Sequence, residues 1–416
     1  MDFRRKLRLL SVALLMMAGV CAKISFGQIS FDRVIVDANG PKDPFGKTAG
    51  DIDGDGYADL VEGGLTSGGL VWYKNPKNPV PSWRKYTIKE GAGFGTEHEI
   101  ADIDNDGKPD LVVIQKGSFV WLENDGTPED GGWKETLISE TELHDIEVGD
   151  FDGDGDMDII GRNQSEWGND GNILNFYEQI TPDKWARSTR GCLHGEGLLA
   201  VDMDGDGKKD AVTGNRWYKN PGKMNAAEWK EYTISSSWEE GNVFIGEGDL
   251  SGDGLVDLVL VPSERVHESC RISWFEQPRD LYGGWIEHVL EDSVQSDYHF
   301  VGCADFNLDG KTDIVMAEMH HGDNPDEVVV YENKKKGKKW TKNIIWEGGS
   351  HSCRIFDCDN DGDPDFFGSN YLGTEVNLWV NRAVMPTPRK GRRYGHGSGV
   401  TSGKVERYDF GGQRER

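Results

Sequence analysis

Short β-rich runs recur along the chain roughly every fifty residues, each opening on an aspartate: Asp59-Leu-Val-Glu-Gly, Asp110-Leu-Val-Val-Ile, Asp158-Ile-Ile-Gly, Asp257-Leu-Val-Leu-Val and Asp313-Ile-Val-Met-Ala. β-branched runs ended by turn residues predict strands. An aromatic strand leading to Asn or Gln follows each run, as in Val71-Trp72-Tyr73-Lys-Asn75, Val120-Trp121-Leu-Glu-Asn124, Trp217-Tyr218-Lys-Asn220 and Leu378-Trp379-Val-Asn381. A third segment comes next, from Trp83 to Ile88, Trp133 to Ile138, Trp229 to Ile234, Trp285 to Leu290 and Trp340 to Ile345, with a weaker copy at Trp185. The last repeat lacks that segment. Its counterpart stands at the other end, where Ile29 to Val36 has the same pattern ahead of the first repeat. One unit is therefore four strands, and the first strand of the chain would complete the last unit. This predicts an all-β, seven-bladed β-propeller of four-stranded blades, closed by the N-terminal strand.

Before each β-rich run lies an acidic loop, D-x-[DNS]-x-D-G-x-x-D. The copies place oxygen side chains at Asp51, Asp53, Asp55 and Asp59; Asp102, Asp104, Asp106 and Asp110; Asp150, Asp152, Asp154 and Asp158; and Asp202, Asp204, Asp206 and Asp210. Three more follow at Asp249, Ser251, Asp253 and Asp257; Asp305, Asn307, Asp309 and Asp313; and Asp357, Asp359, Asp361 and Asp365. Oxygen donors at positions 1, 3, 5 and 9, with glycine at 6 for a sharp turn, suit a hard cation, and calcium is the ion expected, up to seven in all. A chance run of surface acids does not repeat in register seven times. An EF-hand is excluded, because it needs flanking helices and a glutamate at position 12, where most copies have residues such as Val113, Gly161 or Leu260.

The loops and their period resemble the FG-GAP/VCBS repeats of calcium-binding propellers, over roughly residues 29 to 382. Segments such as Gly214-Asn-Arg-Trp-Tyr-Lys-Asn-Pro221, Ala317-Glu-Met-His-His321 and His351-Ser-Cys-Arg-Ile-Phe-Asp357 resemble secreted bacterial FG-GAP proteins, a group similar to the propeller domain of aldos-2-ulose dehydratases. The resemblance implies a sugar ligand and, in the enzyme branch, removal of water from a keto-sugar.

Charge and targeting signals agree with an extracellular calcium protein. The formal net charge of −27 is close to the number of acids in the loops, so metal loading would neutralise about half of it. Nucleic acid is excluded as a partner, because phosphate binding needs a basic footprint. Arg4, Arg5, Lys6 and Arg8 precede an apolar run from Leu9 to Val20, which predicts a secretory signal over residues 1–27. The propeller is expected over 28–382 and a basic, disordered tail over 383–416. No other segment is long and apolar enough to span a membrane. The odd number of cysteines beyond the signal does not describe a disulfide framework.

If the first strand of each blade runs into its loop and the second climbs back, residues about six before each loop and four to eight after its last aspartate meet at the far mouth of the channel. Seven of the ten histidines fall in these windows. The candidates for chemistry are His98, His144, His299, His320, His351 and Glu318, with Arg162, Arg216, Glu264 and Asn370 as substrate-binding groups. Glu97, His194, Glu196 and His321 fall in the same windows. His144 and Asp145 are adjacent, and because alternate strand residues face opposite ways, they are not expected to pair. Two functions stay open: a carbon–oxygen lyase acting on a keto-sugar or polysaccharide, with one further divalent metal at the rim, or a non-catalytic glycan- or protein-binding propeller.

Overall fold

The computed structural model describes residues 29–79, 82–163, 172–238, 242–264, 269–294, 297–320 and 325–384. The signal at 1–27, nearly all of the tail and His321 lie outside them. The described residues form 28 strands and two single-turn 3-10 helices, with no α-helix. Five sheets have four strands. The sixth has eight, two antiparallel runs of four joined by one parallel bridge between Lys47 and Glu97. Seven four-strand units result, numbered here by their first strands: Lys42–Gly50, Phe94–Ala101, Asp145–Gly149, Leu199–Val201, Val243–Gly248, Tyr298–Ala304 and His351–Phe356. The architecture is that of a β-propeller.

Unit 7 is completed from the other end of the chain. Phe31–Asp37 pairs antiparallel with Val376–Asn381, beginning with Phe31 opposite Asn381. This is the closure expected from the sequence.

The core is divided among the junctions between units. Seven apolar clusters occur, and each joins two neighbouring units: Trp72, Leu70 and Val61 meet Phe94, Leu111 and Val113 between units 1 and 2, and Val34, Phe367 and Leu378 meet Leu60 and Val71 between units 7 and 1. Burying such large side chains supplies most of the favourable energy, at about 25 cal/mol per Å² removed from water.

The repeated Asn or Gln after the aromatic strand ties the units together. Its amide donates to the carbonyl of loop position 2 in the preceding unit: Asn124 to Ile52, Gln179 to Ile103, Asn220 to Phe151, Gln277 to Met203, Asn333 to Leu250 and Asn381 to Phe306, at 2.7–3.0 Å. Asn75 closes the circle by donating to Cys358 of unit 7 at 2.8 Å. The same residues donate their backbone N–H to Oδ1 of the position-9 aspartate, as Asn75 does to Asp59 at 2.7 Å and Asn381 to Asp365 at 2.6 Å. The position-9 aspartates are thereby buried at the base of each loop, opposite the last residue of the first strand, as Gly50 is opposite Asp59. Each loop thus turns the first strand into the second at one end of the channel, and the starts of the first strands lie at the other.

Candidate ligand-binding site at the channel mouth

The loops are preformed. Asp51 accepts the N–H groups of Asp55 and Gly56 at 2.9 and 2.8 Å, and Gly56 has φ +87°, a conformation glycine adopts without steric cost. The carboxylates of Asp51, Asp53 and Asp59 offer oxygens within 4.8 Å of one another, as do Asp102, Asp104 and Asp110, and Asp150, Asp152 and Asp158. Position 5 stands outside these groups. Its carboxylate accepts the N–H of position 7 instead, as Asp55 does from Tyr57 at 3.1 Å. The donor set is all oxygen and suits a hard divalent cation. Burial pushes Asp59 up to about 8, with Asp53 and Asp55 adding repulsion, and Asp313 up to about 7.

At the opposite end, one residue six before the loop comes from each unit: Phe45, Thr96, His144, Glu196, Val243, His299 and His351. His144 lies against Asp145, with Nδ1 3.1 Å from Oδ1, and its Nε2 is 3.4 Å from Oε2 of Glu196. The expected separation of His144 and Asp145 is corrected by this contact. His144 precedes the strand that starts at Asp145, so strand alternation does not apply to it. His299 Nε2 is 3.2 Å from Glu264 Oε1 and 3.9 Å from Glu196 Oε1, and its Nδ1 is 3.3 Å from Asp297 Oδ1. The His299 ring stacks on His351 with centroids 5.0 Å apart; His351 packs on Phe45 at 4.7 Å, Phe45 on Tyr371 at 4.6 Å, and Tyr371 on His320 at 4.9 Å. The result is an unbroken arc of carboxylates, imidazoles and aromatic rings.

Burial opposes protonation of His144, but Asp145, then Glu196 and Glu97, outweigh it and raise the group to about 9. His299 behaves alike: burial is outweighed by Asp297, Glu264 and Glu196, which raise it to about 10. His351 goes the other way, pushed well below the ordinary value by burial and by the neighbouring cations His299 and Lys47. Glu97 is raised to about 8 by burial, with Asp145 and Glu99 adding to it against the pull of Arg354. Below the mouth the first strands enclose a cavity of about 250 Å³, lined by Glu97, Asp145, Glu147, Phe244, His299 and Arg354 among others.

Several sequence candidates stand elsewhere. His98 is fully buried between units 1 and 2, where the strand register shifts between Phe94 and His98. Its ring fills the space left by Gly63, on which a Cβ would come within 2.6 Å of Nε2. Glu97 reaches the mouth in its place, accepting the N–H of Ile146 at 2.9 Å. Arg162 is fully buried and donates to the carbonyls of Leu193, Glu196 and Gly197, each at 2.7 Å. It holds the turn that carries Glu196. Arg216 starts the third strand of its unit and faces Glu231 at 3.5 Å, on the blade rather than the mouth. Glu318 accepts the N–H of Glu327, and Asn370 donates to Gly348 at 2.9 Å. Both brace rim loops. Glu264, His144, His299, His320 and His351 belong to the arc, and His194 is exposed.

Sequence reasoning missed Asp297, Lys47, Phe45 and Tyr371. Lys47 is fully buried and donates to the carbonyls of Pro44, His351 and Phe45 at 2.7, 2.9 and 3.2 Å, which joins units 1 and 7 beneath the rings. Four non-glycine residues near the mouth, Asp43, Glu264, Ser352 and Leu372, have positive φ. Such backbone strain tends to collect at functional sites.

Comparison with known proteins agrees with this architecture. Residues 51–113, 102–161 and 305–368 match a family described as FG-GAP-like repeat, so the chain carries FG-GAP-like repeats on a propeller fold. A solved Agrocybe aegerita lectin, described as specifically recognising non-reducing terminal N-acetylglucosamine, is similar over 85% of this chain and 96% of its own, at 13% identity and TM-score 0.51. A Photorhabdus luminescens Tc holotoxin pore is similar over 77% of this chain and 16% of its own, at 16% identity and TM-score 0.37. No curated protein matches. Among the described residues no helix is long and apolar enough to cross a membrane.

Proposed function

We propose that the protein is a secreted, calcium-stabilised, seven-bladed propeller that binds carbohydrate at the channel mouth. The observation that carries this reading is the continuous arc from Asp145 and His144 through Glu196, Glu264 and His299 to His351, Phe45 and Tyr371. Carboxylates and imidazoles beside aromatic faces are the groups that hydrogen-bond sugar hydroxyls and cover the apolar side of a sugar ring. A lectin of like fold that recognises a sugar lends support. In this reading each of the seven units is one blade, and calcium is held by the loop oxygens at positions 1, 3 and 9, where it offsets their mutual repulsion. A secretory leader would deliver the chain to a calcium-rich, oxidising compartment.

Titration of the calcium-loaded protein with mono- and oligosaccharides tests the reading. Saturable binding that Glu196→Gln weakens tenfold or more is expected; failure of every sugar to bind would overturn it.

A second reading, lyase chemistry at the same mouth, is favoured by one observation. Glu196, Glu264 and His299 offer ligand atoms within 4.8 Å of one another, a fit for one divalent ion. Such an ion would polarise a sugar carbonyl. The protein's own groups would do the rest: His144, oriented by Asp145, could exchange a proton with substrate, and Glu97, held by the N–H of Ile146 beside Asp145, would be a second acid. In this scheme Arg162 stays bound to backbone carbonyls beside Asp145, and Arg216 faces Glu231. Appearance of the ultraviolet absorbance of an unsaturated product from keto-sugars or polysaccharides would establish it, and its absence under saturating sugar leaves the binding reading alone.

A further inference from the structure

The residue that precedes the Asn or Gln tying the units together is not the same around the ring. It is Lys74 in unit 1 and Lys219 in unit 4; Glu123, Glu178, Glu276 and Glu332 in units 2, 3, 5 and 6; and Val380 in unit 7. In units 1 to 4 and 6 it acts on position 3 of the acidic loop of its own unit. Lys74 forms an ion pair with Asp53 and Lys219 with Asp204, whereas Glu332 accepts the amide N–H of Asn307 at 2.8 Å, and Glu123 and Glu178 repel Asp104 and Asp152. From this contrast we infer that Lys74 and Lys219 are built-in counter-cations, which make the loops of units 1 and 4 the weakest calcium sites of the ring. The inference rests on the calcium reading of the loops and separates sites that the repeat makes look alike.

Position 3 belongs to the group of oxygens that would face the ion, as Asp53 does with Asp51 and Asp59. An ammonium on that carboxylate relieves the mutual repulsion of the aspartates, so less is gained when a divalent ion arrives. It also repels the incoming charge directly, and the repulsion grows as the charges approach. The side chains of Asp53 and Asp204 are only 8% and 15% exposed, so these pairs are screened less than pairs on the open surface. Lys108 and Lys311 stand differently: they pair with Asp106 and Asp309 at position 5, outside the ligand groups. In units 5 and 6, where position 3 is Ser251 or Asn307, Glu276 or Glu332 restores the missing negative charge. Lys134, His288 and Lys334 partly offset Glu123, Glu276 and Glu332. The contrast is therefore sharpest against unit 3, where Glu178 and Asp156 both add negative charge.

The test is a count of bound calcium by native mass spectrometry on the full chain at stepped free calcium, with melting curves in chelator and in saturating calcium. The proteins compared are wild type, Lys74→Glu, Lys219→Glu, Glu178→Lys and a control, Lys85→Glu, whose lysine pairs with Asp37 instead of a loop residue. At the free calcium where wild type holds all but its two weakest ions, Lys74→Glu and Lys219→Glu should each hold one more, Glu178→Lys one fewer and Lys85→Glu the same number. Each change corresponds to a tenfold or greater shift in the affinity of one site. In chelator, Lys74→Glu and Lys219→Glu should melt below wild type, and calcium should raise their melting temperatures by more. Unchanged ion counts in both variants, an equal gain in Lys85→Glu, or wild type that loads all its ions at a single affinity would overturn the inference and leave the calcium reading standing. Wild type that binds no calcium even at millimolar concentration would overturn both.

Discussion

His299 of unit 6 stacks on His351 of unit 7 with ring centroids 5.0 Å apart, one imidazole held by three carboxylates and the other by none of them. The stack joins the polar side of the mouth to the aromatic side, because His351 also packs on Phe45. His351→Phe keeps the stacking area and removes only a neutral imidazole. It is expected to leave sugar affinity within about threefold, whereas His299→Phe, which strands Asp297, Glu264 and Glu196 without their shared cation, is expected to cost tenfold or more, a loss of about 1.4 kcal/mol or greater. Titration of the two variants side by side checks the asymmetry.

Calcium removal provides a test of the loops. Five of the seven group three carboxylates at positions 1, 3 and 9, and the other two have Ser251 or Asn307 at position 3; a bound divalent ion would relieve the repulsion, and binding at a hundred times Kd stabilises by about 2.7 kcal/mol per site. Excess chelator should lower the melting temperature by roughly ten degrees or more, with metal loss verified by elemental analysis. An unchanged melting curve in metal-free protein would remove calcium from the account.

The inter-unit relay gives a stability prediction independent of any ligand. Asn124→Ala deletes the donor to Ile52 and leaves that buried carbonyl without it, at an expected cost of about 1–3 kcal/mol. Asn333→Ala should cost a similar amount through Leu250. Deleting residues 29–37 should do more, because it exposes the edge of Val376–Asn381 and uncovers Phe306 and Phe366, on which Phe31 packs. Denaturant unfolding monitored by tryptophan fluorescence distinguishes these variants, and a chain without residues 29–37 that still unfolds cooperatively would refute the closure.

Much of the architecture was readable because it repeats. The fifty-residue period, the four-segment unit and the spare strand at Ile29 follow from pattern alone, and the aromatic-then-Asn/Gln signal marked the relay donors although not their acceptors in the preceding unit. The mouth was half legible. Counting six residues back from each loop finds His144, Glu196, His299 and His351, and the same rule also finds Phe45, which a search restricted to titratable residues passes over. Tyr371 lies six residues after Asp365 and was missed for the same reason. Side-chain direction was the part sequence could not supply: the register shift before His98 turns that ring into the core and brings Glu97 to the mouth, and nothing in the spacing of Arg162 reveals that three backbone carbonyls absorb its guanidinium.

His98 also makes a pH prediction. Burial, the largest influence, lowers it to about 3, with Arg354 and Lys47 acting in the same direction. A base whose folded pKa is depressed binds its proton more readily when unfolded, so its stability contribution is complete above about 6.5 and declines as pH falls from there toward 3. Each pH unit in that window costs about 1.4 kcal/mol. His98→Leu should therefore be near wild type at pH 7.5 and more stable than wild type by roughly 2–3 kcal/mol at pH 4.5. Parallel denaturant curves at the two pH values measure the difference, and an equal acid sensitivity in both proteins would contradict the buried, neutral assignment.

The measurement closest to the central claim is sugar affinity and melting temperature determined together on His144→Ala and Asp145→Asn, both at the mouth and both remote from the acidic loops. If the mouth is the binding site, affinity falls tenfold or more in both variants while calcium-dependent melting shifts by no more than a few degrees. Variants that melt far below wild type yet bind sugar with unchanged affinity would make the arc a structural network and place sugar recognition elsewhere on the molecule.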